Sequence, residues 1–157
     1  MKILLLVIGK TDEKYLVEGM EKYRSRLKHY IGFDYEEIPD IKNRKTLSEA
    51  QQKKLEGALI LAKIKAGDKL VLLDDKGKDY SSLAFSKHLQ QQMNSGIKRL
   101  VFVVGGPYGF DTAVYSKAQG KLSLSKMTFS HQMIRLFMVE QVYRAMTILK
   151  NEPYHHE

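Results

Sequence analysis

The sequence contains no cysteine. Neither a disulfide framework nor a thiolate metal site can therefore form. Long apolar runs are also missing, because no stretch approaches the roughly 20 apolar residues that a membrane-spanning helix needs. The apolar start of the chain ends at Gly9, which is too early for a secretory signal, and no small-residue cleavage site follows it. We therefore expect a soluble, cytoplasmic protein that binds neither a membrane nor a metal ion.

Length and composition are those of an ordinary globular protein. The 157 residues fit one domain over residues 1–157, because domains of about 100 to 150 residues are the commonest. Apolar residues make up 43% of the chain and aromatic residues 10%, which argues against extended disorder. Lysine and arginine total 26 against 18 acidic residues, so the net charge is +8. This charge suits a nucleic-acid partner, although solubilising surface lysines would account for it equally well.

Two kinds of apolar segment alternate along the chain. Strands are predicted at 3–8, 33–38, 69–73, 99–104 and 122–124, a polar turn at 74–78, and helices at about 11–30, 47–64, 81–96, 111–119 and 131–150. This alternation predicts an α/β fold with a mainly parallel sheet flanked by helices. Physical reasoning alone favours a doubly wound, flavodoxin-like layout with a ligand at the carboxyl ends of the strands.

The last predicted helix, residues 131–150, is unusually apolar. Twelve of its twenty positions are apolar, which is too many for a helix that buries only one side. A helix of this kind needs cover on two sides. We favour a helix that packs on the sheet and also in a dimer interface, and the alternative is a central core helix within one chain.

The most informative local feature is the sequence VFVVGGPYG, in which a buried strand runs into Gly105, Gly106 and Gly109. Glycines at a strand end let a ligand approach the backbone and permit positive φ angles. The loop matches neither the Walker pattern nor the full dinucleotide fingerprint. A ligand-binding loop and a plain tight turn therefore remain equally open.

A second feature is the segment LSLSKMTFSHQMIR, in which hydroxyl-bearing residues lead into the last helix. Ser125, Thr128 and Ser130 could cap the helix, and backbone amides at such a helix start could also hold a polar ligand. Glu140 and Arg144 stand four residues apart in that helix, which favours a structural ion pair. An RNA contact by Arg144 remains open.

The end of the chain carries Tyr154, His155 and His156 just after the last helix. Tyrosine and histidine there could stack on a base or move a proton, although a frayed terminus is the usual fate of such residues. As metal ligands the two histidines are unconvincing, because adjacent side chains diverge and no third ligand is evident.

Taken together, Leu73 with Asp74, the GGPYG loop, the LSLSKMTFSHQMIR segment, EQVYRA and the terminal PYH resemble the RlmH family of SPOUT-class methyltransferases. The resemblance covers essentially the whole chain. It implies a trefoil-knotted α/β fold, a homodimer, and S-adenosylmethionine as the cofactor. It also implies methylation at N3 of a pseudouridine in helix 69 of 23S rRNA, preferably in assembled ribosomes.

The resemblance also assigns residues to roles. The residues that it places around the cofactor are Leu73, Gly105, Leu124, Ser125, Lys126, Met127, Thr128 and Phe129. The catalytic residues that it places toward the RNA, facing the partner's cofactor, are Tyr154, His155 and Arg144. Family members often carry proline at the position of Ser130, so the helix start is less rigid in this chain.

Positioning is expected to dominate the chemistry, because the sulfonium methyl is already activated. His155 is the better candidate for a general base on intrinsic pKa. Phosphate contacts could come from a basic stretch that contains Lys42, Arg44, Lys45, Lys53 and Lys54, although a solvated helix face explains it equally well. Two alternative functions stay open: a SPOUT enzyme that acts on another rRNA or tRNA site, and a non-catalytic ribosome-binding module.

Overall fold

The computed structural model describes residues 1–156. Within them, five strands alternate with five helices, which confirms the predicted α/β class. The strands are β1 (Lys2–Ile8), β2 (Gly32–Ile38), β3 (Asp68–Asp79), β4 (Arg99–Val104) and β5 (Gly120–Ser123). The helices are α1 (Lys14–Leu27), α2 (Glu49–Lys63), α3 (Ser82–Asn94), α4 (Thr112–Lys117) and α5 (Met133–Leu149), with a short 3-10 helix at Arg44–Thr46.

The strands form one parallel sheet in the order β2-β1-β4-β3-β5. The flavodoxin-like order, in which β3 would lie beside β1, is therefore wrong. The observed order agrees with the apolar content of the strands. Residues 100–104 of β4 are at most 3% exposed in its inner position beside β1. The second half of β3 is charged, and β3 lies next to the edge strand β5.

Alternating side chains of the strands divide the core into two halves. In β1, Leu5 packs with apolar residues of α1, α3 and α5 on one face of the sheet. Leu4 and Leu6 pack with residues of α2 and α4 on the other face. Because both faces are covered, the inner strands consist of continuous apolar runs, as expected for parallel sheets.

The predicted polar turn at 74–78 is wrong, because β3 continues through it to Asp79. Its pairing with β5 shifts register between Leu73 and Lys78. An added Cβ at Gly77 would lie only 2.5 Å from the backbone carbon of Leu122, so glycine permits this close approach. The charged residues are tolerated in a strand because this half of β3 is largely exposed to solvent.

Helix α1 begins at Lys14 rather than near Thr11, because Thr11 is held by other groups. The backbone N–H of Thr11 donates to Glu37, and the Thr11 hydroxyl lies 2.6 Å from the hydroxyl of Tyr35. Helix α2 begins as a capping box in which the side chains of Ser48 and Gln51 each bond to the other's backbone N–H.

Helix α5 contacts both α1 and α3 on one face of the sheet. This within-chain cover buries Met138, Val139 and Val142 completely. Leu136 and Phe137 stay half buried. The second side of the helix is thus only partly covered by its own chain, and the dimer role of α5 stays a prediction.

Arg135 is fully buried at the start of α5 and joins this helix to the end of β1. Its guanidinium donates to the carbonyl oxygens of Ile8 at 2.7 Å and Gly9 at 2.9 Å, and to the Thr11 hydroxyl at 2.9 Å. A carboxylate oxygen of Glu37 lies 3.9 Å away. Arg135 therefore stabilises the fold next to the carboxyl ends of the strands. No helix within residues 1–156 is long and apolar enough to cross a membrane.

Candidate functional site

A cavity of about 320 Å³ lies at the carboxyl ends of β4 and β5 and beside the register shift of β3, and we call it the glycine-loop cavity. Its lining residues come from the ends of β4 and β5, the middle of β3, the Gly105–Gly109 loop, the segment before α5 and the first turn of α5. They are Leu73, Asp74, Asp75, Val104, Gly105, Gly106, Pro107, Gly109, Phe110, Leu122, Ser123, Leu124, Ser125, Met127, Thr128, Phe129, Ser130, His131 and Ile134. This is the edge of a parallel sheet where ligands usually bind.

Seven of the eight residues predicted around a cofactor lie together in this cavity. They are Leu73, Gly105, Leu124, Ser125, Met127, Thr128 and Phe129. Lys126 is the exception, because its side chain is exposed and does not line the cavity. Their roles toward a ligand stay predictions.

Several lining residues were not predicted individually. Asp75 and Ser123 follow from the general rule that ligands bind at strand carboxyl ends, once the third and fifth strands are assigned. His131 and Ile134 reach the cavity only through the path of the chain into α5. The helix-start signal in this segment, with its three hydroxyl residues, could have indicated them.

The glycine loop is packed against α2 at Gly106. An added Cβ at Gly106 would lie 2.5 Å from a carboxylate oxygen of Glu56, a buried residue of α2, so a side chain there would require the Glu56 carboxylate to move. Gly109 has a φ angle of +81°, a left-handed conformation that glycine adopts without strain. Glycine thus allows close packing against α2 at Gly106 and the left-handed turn at Gly109, and a role of the loop in ligand binding stays a prediction.

The segment before α5 folds through its own hydroxyl groups. Ser123 donates to the carbonyl oxygen of Ser125 at 2.8 Å, and the Ser125 hydroxyl accepts from the N–H of Met127 at 2.9 Å. The Ser130 hydroxyl accepts from the N–H of Met133 at 3.0 Å and so ties the segment to the first residue of α5, although the residue at the N-cap position is Gln132. These bonds turn the backbone around the cavity and leave Met127 78% exposed at its rim.

Two titratable groups at the rim, Asp74 and His131, both have lowered pKa values. Burial alone would raise the pKa of Asp74, but hydrogen bonds from the Tyr115 hydroxyl (2.5 Å) and the N–H of Lys76 (2.8 Å) lower it overall. Desolvation and then the guanidinium of Arg135 lower the pKa of His131. Near neutral pH the rim thus presents an ionised carboxylate and a neutral imidazole, which suits a ligand that carries positive charge.

The predicted catalytic residues form a second group, which we call the tail cluster: Glu140, Arg144, Tyr154 and His155. The Arg144 guanidinium lies 2.6 Å from Glu140, which confirms the predicted ion pair. The same guanidinium lies 3.3 Å from Nδ1 of His155 and 4.8 Å from the ring centre of Tyr154. The Tyr154 hydroxyl donates to Glu140 at 2.9 Å. Burial, then hydrogen bonds with Tyr23 and Glu140, raise the pKa of Tyr154.

The tail cluster does not meet the glycine-loop cavity of its own chain. None of its four residues lines that cavity. Ile134 lies in the cavity and Arg144 stands ten residues later in α5, which corresponds to about 15 Å along the helix axis. Tyr30, which precedes β2, donates to Glu152 of the tail, so the tail lies at the amino ends of the strands. Within one chain, the tail cluster and the glycine-loop cavity therefore lie far apart.

The arrangement can bind a small molecule through backbone and hydroxyl groups over an apolar wall. Within residues 1–156, no group of three or more histidine, aspartate or glutamate side chains is placed to hold a metal ion.

A family model described as "Predicted SPOUT methyltransferase" matches residues 1–155. The chain belongs to the SPOUT methyltransferase family. It is also similar over its full length to curated proteins called ribosomal RNA large subunit methyltransferase H. It is 66% identical to the protein of Parabacteroides distasonis and 62% identical to that of Flavobacterium johnsoniae, with all of both chains covered in each case. The protein of Porphyromonas gingivalis is 57% identical, again over the full length of both chains.

These matches confirm the resemblance to the RlmH family of SPOUT methyltransferases. A SPOUT methyltransferase uses a methyl donor of the S-adenosylmethionine type, and the glycine-loop cavity is the candidate site for it. The five-stranded parallel sheet flanked by helices agrees with this fold class. The knotted path that the resemblance implies stays a prediction.

Proposed function

We propose that this SPOUT methyltransferase transfers a methyl group from S-adenosylmethionine to N3 of a pseudouridine in helix 69 of 23S rRNA. The preferred substrate is the assembled ribosome, and the active form is a homodimer. The observation that carries the proposal is the glycine-loop cavity, built from segments that match the RlmH family throughout. Full-length similarity to proteins named for ribosomal RNA methylation supports the substrate class. The net charge of +8 suits an RNA partner.

The residues of the glycine-loop cavity fit a donor of this kind. Leu73, Leu124 and Ile134 offer apolar surface for a planar base, and the glycine loop offers backbone groups. The ionised carboxylate of Asp74 complements a cationic group at the rim. When bound, S-adenosylmethionine supplies a methyl group that its positively charged sulfonium has already activated. The protein's main task is then to hold the two reactants in line and exclude water.

The tail cluster suggests how His155 contributes. A guanidinium only donates hydrogen bonds, so Nδ1 of His155 accepts from Arg144 and the neutral ring carries its proton on Nε2. An Nε2–H group can donate to a carbonyl oxygen of the target base but cannot remove a proton. His155 therefore orients the base in this arrangement, and it acts as a general base only after its bond to Arg144 is released.

The separation of the tail cluster from the cavity supports a homodimer with shared sites. A tail that lies at the opposite end of α5 from its own cavity can approach only the cavity of a second subunit. Met127 and Phe129 at the cavity rim are 78% and 36% exposed, which leaves apolar surface for a partner subunit to cover. Each complete site would then combine the cavity of one subunit with the tail cluster of the other.

Methyl transfer from labelled S-adenosylmethionine tests the proposal directly. The substrates are intact ribosomes and free 23S rRNA from a strain that lacks this protein, followed by mapping of the labelled nucleotide. Label at a helix 69 pseudouridine in intact ribosomes is the expected result. Label at another rRNA or tRNA site would show that the enzyme has that RNA, and not helix 69, as its substrate. Donor binding without transfer to any RNA would contradict the catalytic role, and absence of donor binding would favour a ribosome-binding module.

The role of His155 can be tested with two substitutions. His155→Gln keeps an N–H donor without a basic nitrogen, whereas His155→Ala removes both. An orienting role predicts that single-turnover transfer falls for His155→Ala and is largely retained by His155→Gln. A general-base role predicts a loss of about 10²- to 10⁴-fold in both variants. His29→Ala, an exposed histidine of α1's carboxyl end, is the control, and donor binding should be unchanged in all three.

Mixed dimers test the shared site. Gly105→Val should block the cavity, because even a Cβ at Gly105 would lie 3.1 Å from the Phe110 ring. Each of the Gly105→Val and His155→Ala proteins should be poorly active alone. When the two proteins are refolded together in equal amounts, half of the dimers contain one subunit of each kind. Each of these mixed dimers has one intact site of two, so activity should return to about a quarter of the wild-type value. No recovery in mixed dimers would show that cavity and tail act within one chain.

A further inference from the structure

A second cavity, which we call the edge cavity, lies beside α3 at the β5 edge of the sheet. Its volume is about 280 Å³, near the lower end of the range for sites that bind small molecules. It shares only Leu122 with the glycine-loop cavity. Strand β5 pairs with β3 on one side alone, so the cavity opens along a free sheet edge. None of the chemistry proposed above uses it.

The walls of the edge cavity are apolar and aromatic. Phe85 of α3 and Phe102 of β4 form a buried floor. The ring of Tyr80 lies 5.1 Å from that of His88, with 33° between the planes, and both rings line the cavity. Nζ of Lys78 lies 4.8 Å from the centre of the Tyr80 ring. Half-buried rings at an open edge offer a surface on which a planar group can stack.

The rim of the edge cavity is positively charged. Lys69 and Lys78 line it together with His88, and no aspartate or glutamate does. Lys121 also borders the cavity, but its Nζ lies 5.7 Å from the ring centre of Tyr115 in α4, on the other face of the sheet. Across residues 1–156 neither Lys69 nor Lys78 forms an ion pair within 4.0 Å. Asp79 neighbours Lys78 in β3, but successive side chains of a strand point to opposite faces. Burial and then the charges of Lys69 and Lys78 lower the pKa of His88, in keeping with a positive local field.

We propose that the edge cavity binds one nucleotide of the substrate RNA, distinct from the nucleotide that is methylated. Its phosphate would lie between Lys69 and Lys78, and its base would stack on Tyr80 and His88. Phosphate alone would use the lysines but not the rings, and an apolar ligand would leave the lysines unmatched. A nucleotide is the ligand class that uses both. This proposal rests on the proposed function, because it takes RNA as the substrate.

Binding can be measured without any methyl transfer. The full chain, labelled with ¹⁵N, is titrated separately with uridine 5′-monophosphate, uridine and inorganic phosphate, and amide shifts are followed by NMR. We expect the monophosphate to shift the amides of Tyr80, His88 and Lys121, with weaker effects of uridine or phosphate alone. Shifts confined to the glycine loop and residues 124–129 would mean that the nucleotide enters the other cavity, and the proposal would be overturned.

Charge-matched variants then test binding of an RNA strand. Lys69→Ala with Lys78→Ala removes two charges from the edge cavity, and Lys87→Ala with Lys98→Ala removes two exposed charges elsewhere. The double substitution in the edge cavity should weaken the binding of a labelled oligouridylate roughly tenfold, because it removes two ion contacts that each contribute a modest binding free energy. It should also reduce the slope of log affinity against log salt by about 0.7, because the two lysines hold one phosphate of a single strand. Equal effects of the two pairs would overturn the proposal, because net charge alone would then explain them.

Methyl-transfer kinetics connect the edge cavity to the enzyme. The Lys69→Ala, Lys78→Ala protein should show a raised KM for ribosomes with unchanged kcat and unchanged donor binding. A fall in kcat at saturating ribosomes would contradict a separate binding site. If no RNA is methylated at all, the proposed function fails, yet the NMR and oligouridylate measurements still decide whether the edge cavity binds a nucleotide.

Discussion

Replacing Arg135 by methionine tests the central support of the fold. Methionine has similar length but cannot donate hydrogen bonds. The substitution leaves the buried carbonyl oxygens of Ile8 and Gly9 without the donors that satisfy them. Removing one partner of a buried charged network costs about 3 to 5 kcal/mol, a large share of the roughly 5 to 15 kcal/mol that stabilise a typical domain.

Urea unfolding followed by circular dichroism measures this cost. With a typical urea dependence of about 2 kcal/mol per M, the midpoint should fall by roughly 2 M in Arg135→Met. Arg135→Lys keeps the positive charge but lacks the planar guanidinium with its several N–H donors, so its loss of stability should be intermediate. Arg44→Met is the matched control, because Arg44 pairs with Asp40 at 3.0 Å on the surface, where both side chains are about half exposed. Its cost should stay below about 1 kcal/mol.

A midpoint for Arg135→Met within about 0.5 M of the wild-type value, or about 1 kcal/mol at that urea dependence, would refute the reasoning. It would mean that water or neighbouring donors replace the guanidinium at the end of β1. Equal decreases in the free energy of unfolding for Arg135→Met and the Arg44→Met control would also refute the reasoning. The buried and the exposed arginine would then contribute the same stability.

Two further predictions concern stability. Burial raises the pKa of Glu56, whose Oε2 has no hydrogen-bond partner, so its protonated form is favoured in the folded state. The stability from this group is complete below the ordinary glutamate pKa of about 4.3 and is lost as pH rises through the folded-state pKa. Glu56→Gln should therefore be more stable than wild type by about 1 kcal/mol at pH 8, and melting curves that keep the same pH dependence in both proteins would contradict this. Gly77→Ala should cost about 1 to 3 kcal/mol in urea unfolding, because the Cβ would meet the backbone of Leu122 at 2.5 Å. Gly120→Ala, whose Cβ would have its nearest neighbour at 3.8 Å, should cost clearly less, and equal losses would exclude the contact as the cause.

Much of the fold could be predicted because its local signals are strong. Apolar runs such as Ile3–Ile8 and residues 99–104 marked the inner strands, since both faces of a parallel sheet are covered. The order of the strands could not be obtained in this way. The strand order depends on how the charged half of β3 pairs with β5. The polar residues 74–78 predicted a turn in place of that half of the strand. A local pattern cannot distinguish a solvent-exposed strand from a loop of the same composition.

The site was partly predictable for a similar reason. The glycine loop and the hydroxyl-rich segment before α5 are continuous in sequence, so the resemblance identified them as units, and most of their residues line one cavity. Lys126 was predicted with its neighbours, but its side chain is exposed and does not line the cavity. Arg135 and Glu56 act through residues more than 45 positions away in the chain, and sequence spacing carries no sign of such contacts.

If the tail cluster acts as proposed, its separation from the glycine-loop cavity controls when methyl transfer can begin. In one chain, the Tyr154 hydroxyl donates to Glu140 and the His155 ring accepts from Arg144, so both tail residues are engaged by α5. The glycine-loop cavity, formed at the other end of α5, needs none of these contacts to bind a ligand. Donor binding should therefore be possible in a subunit that cannot yet orient a base. Under the proposed dimer, methyl transfer begins only when a second subunit and the RNA bring the two groups together, which protects the activated methyl group from transfer to unspecific acceptors.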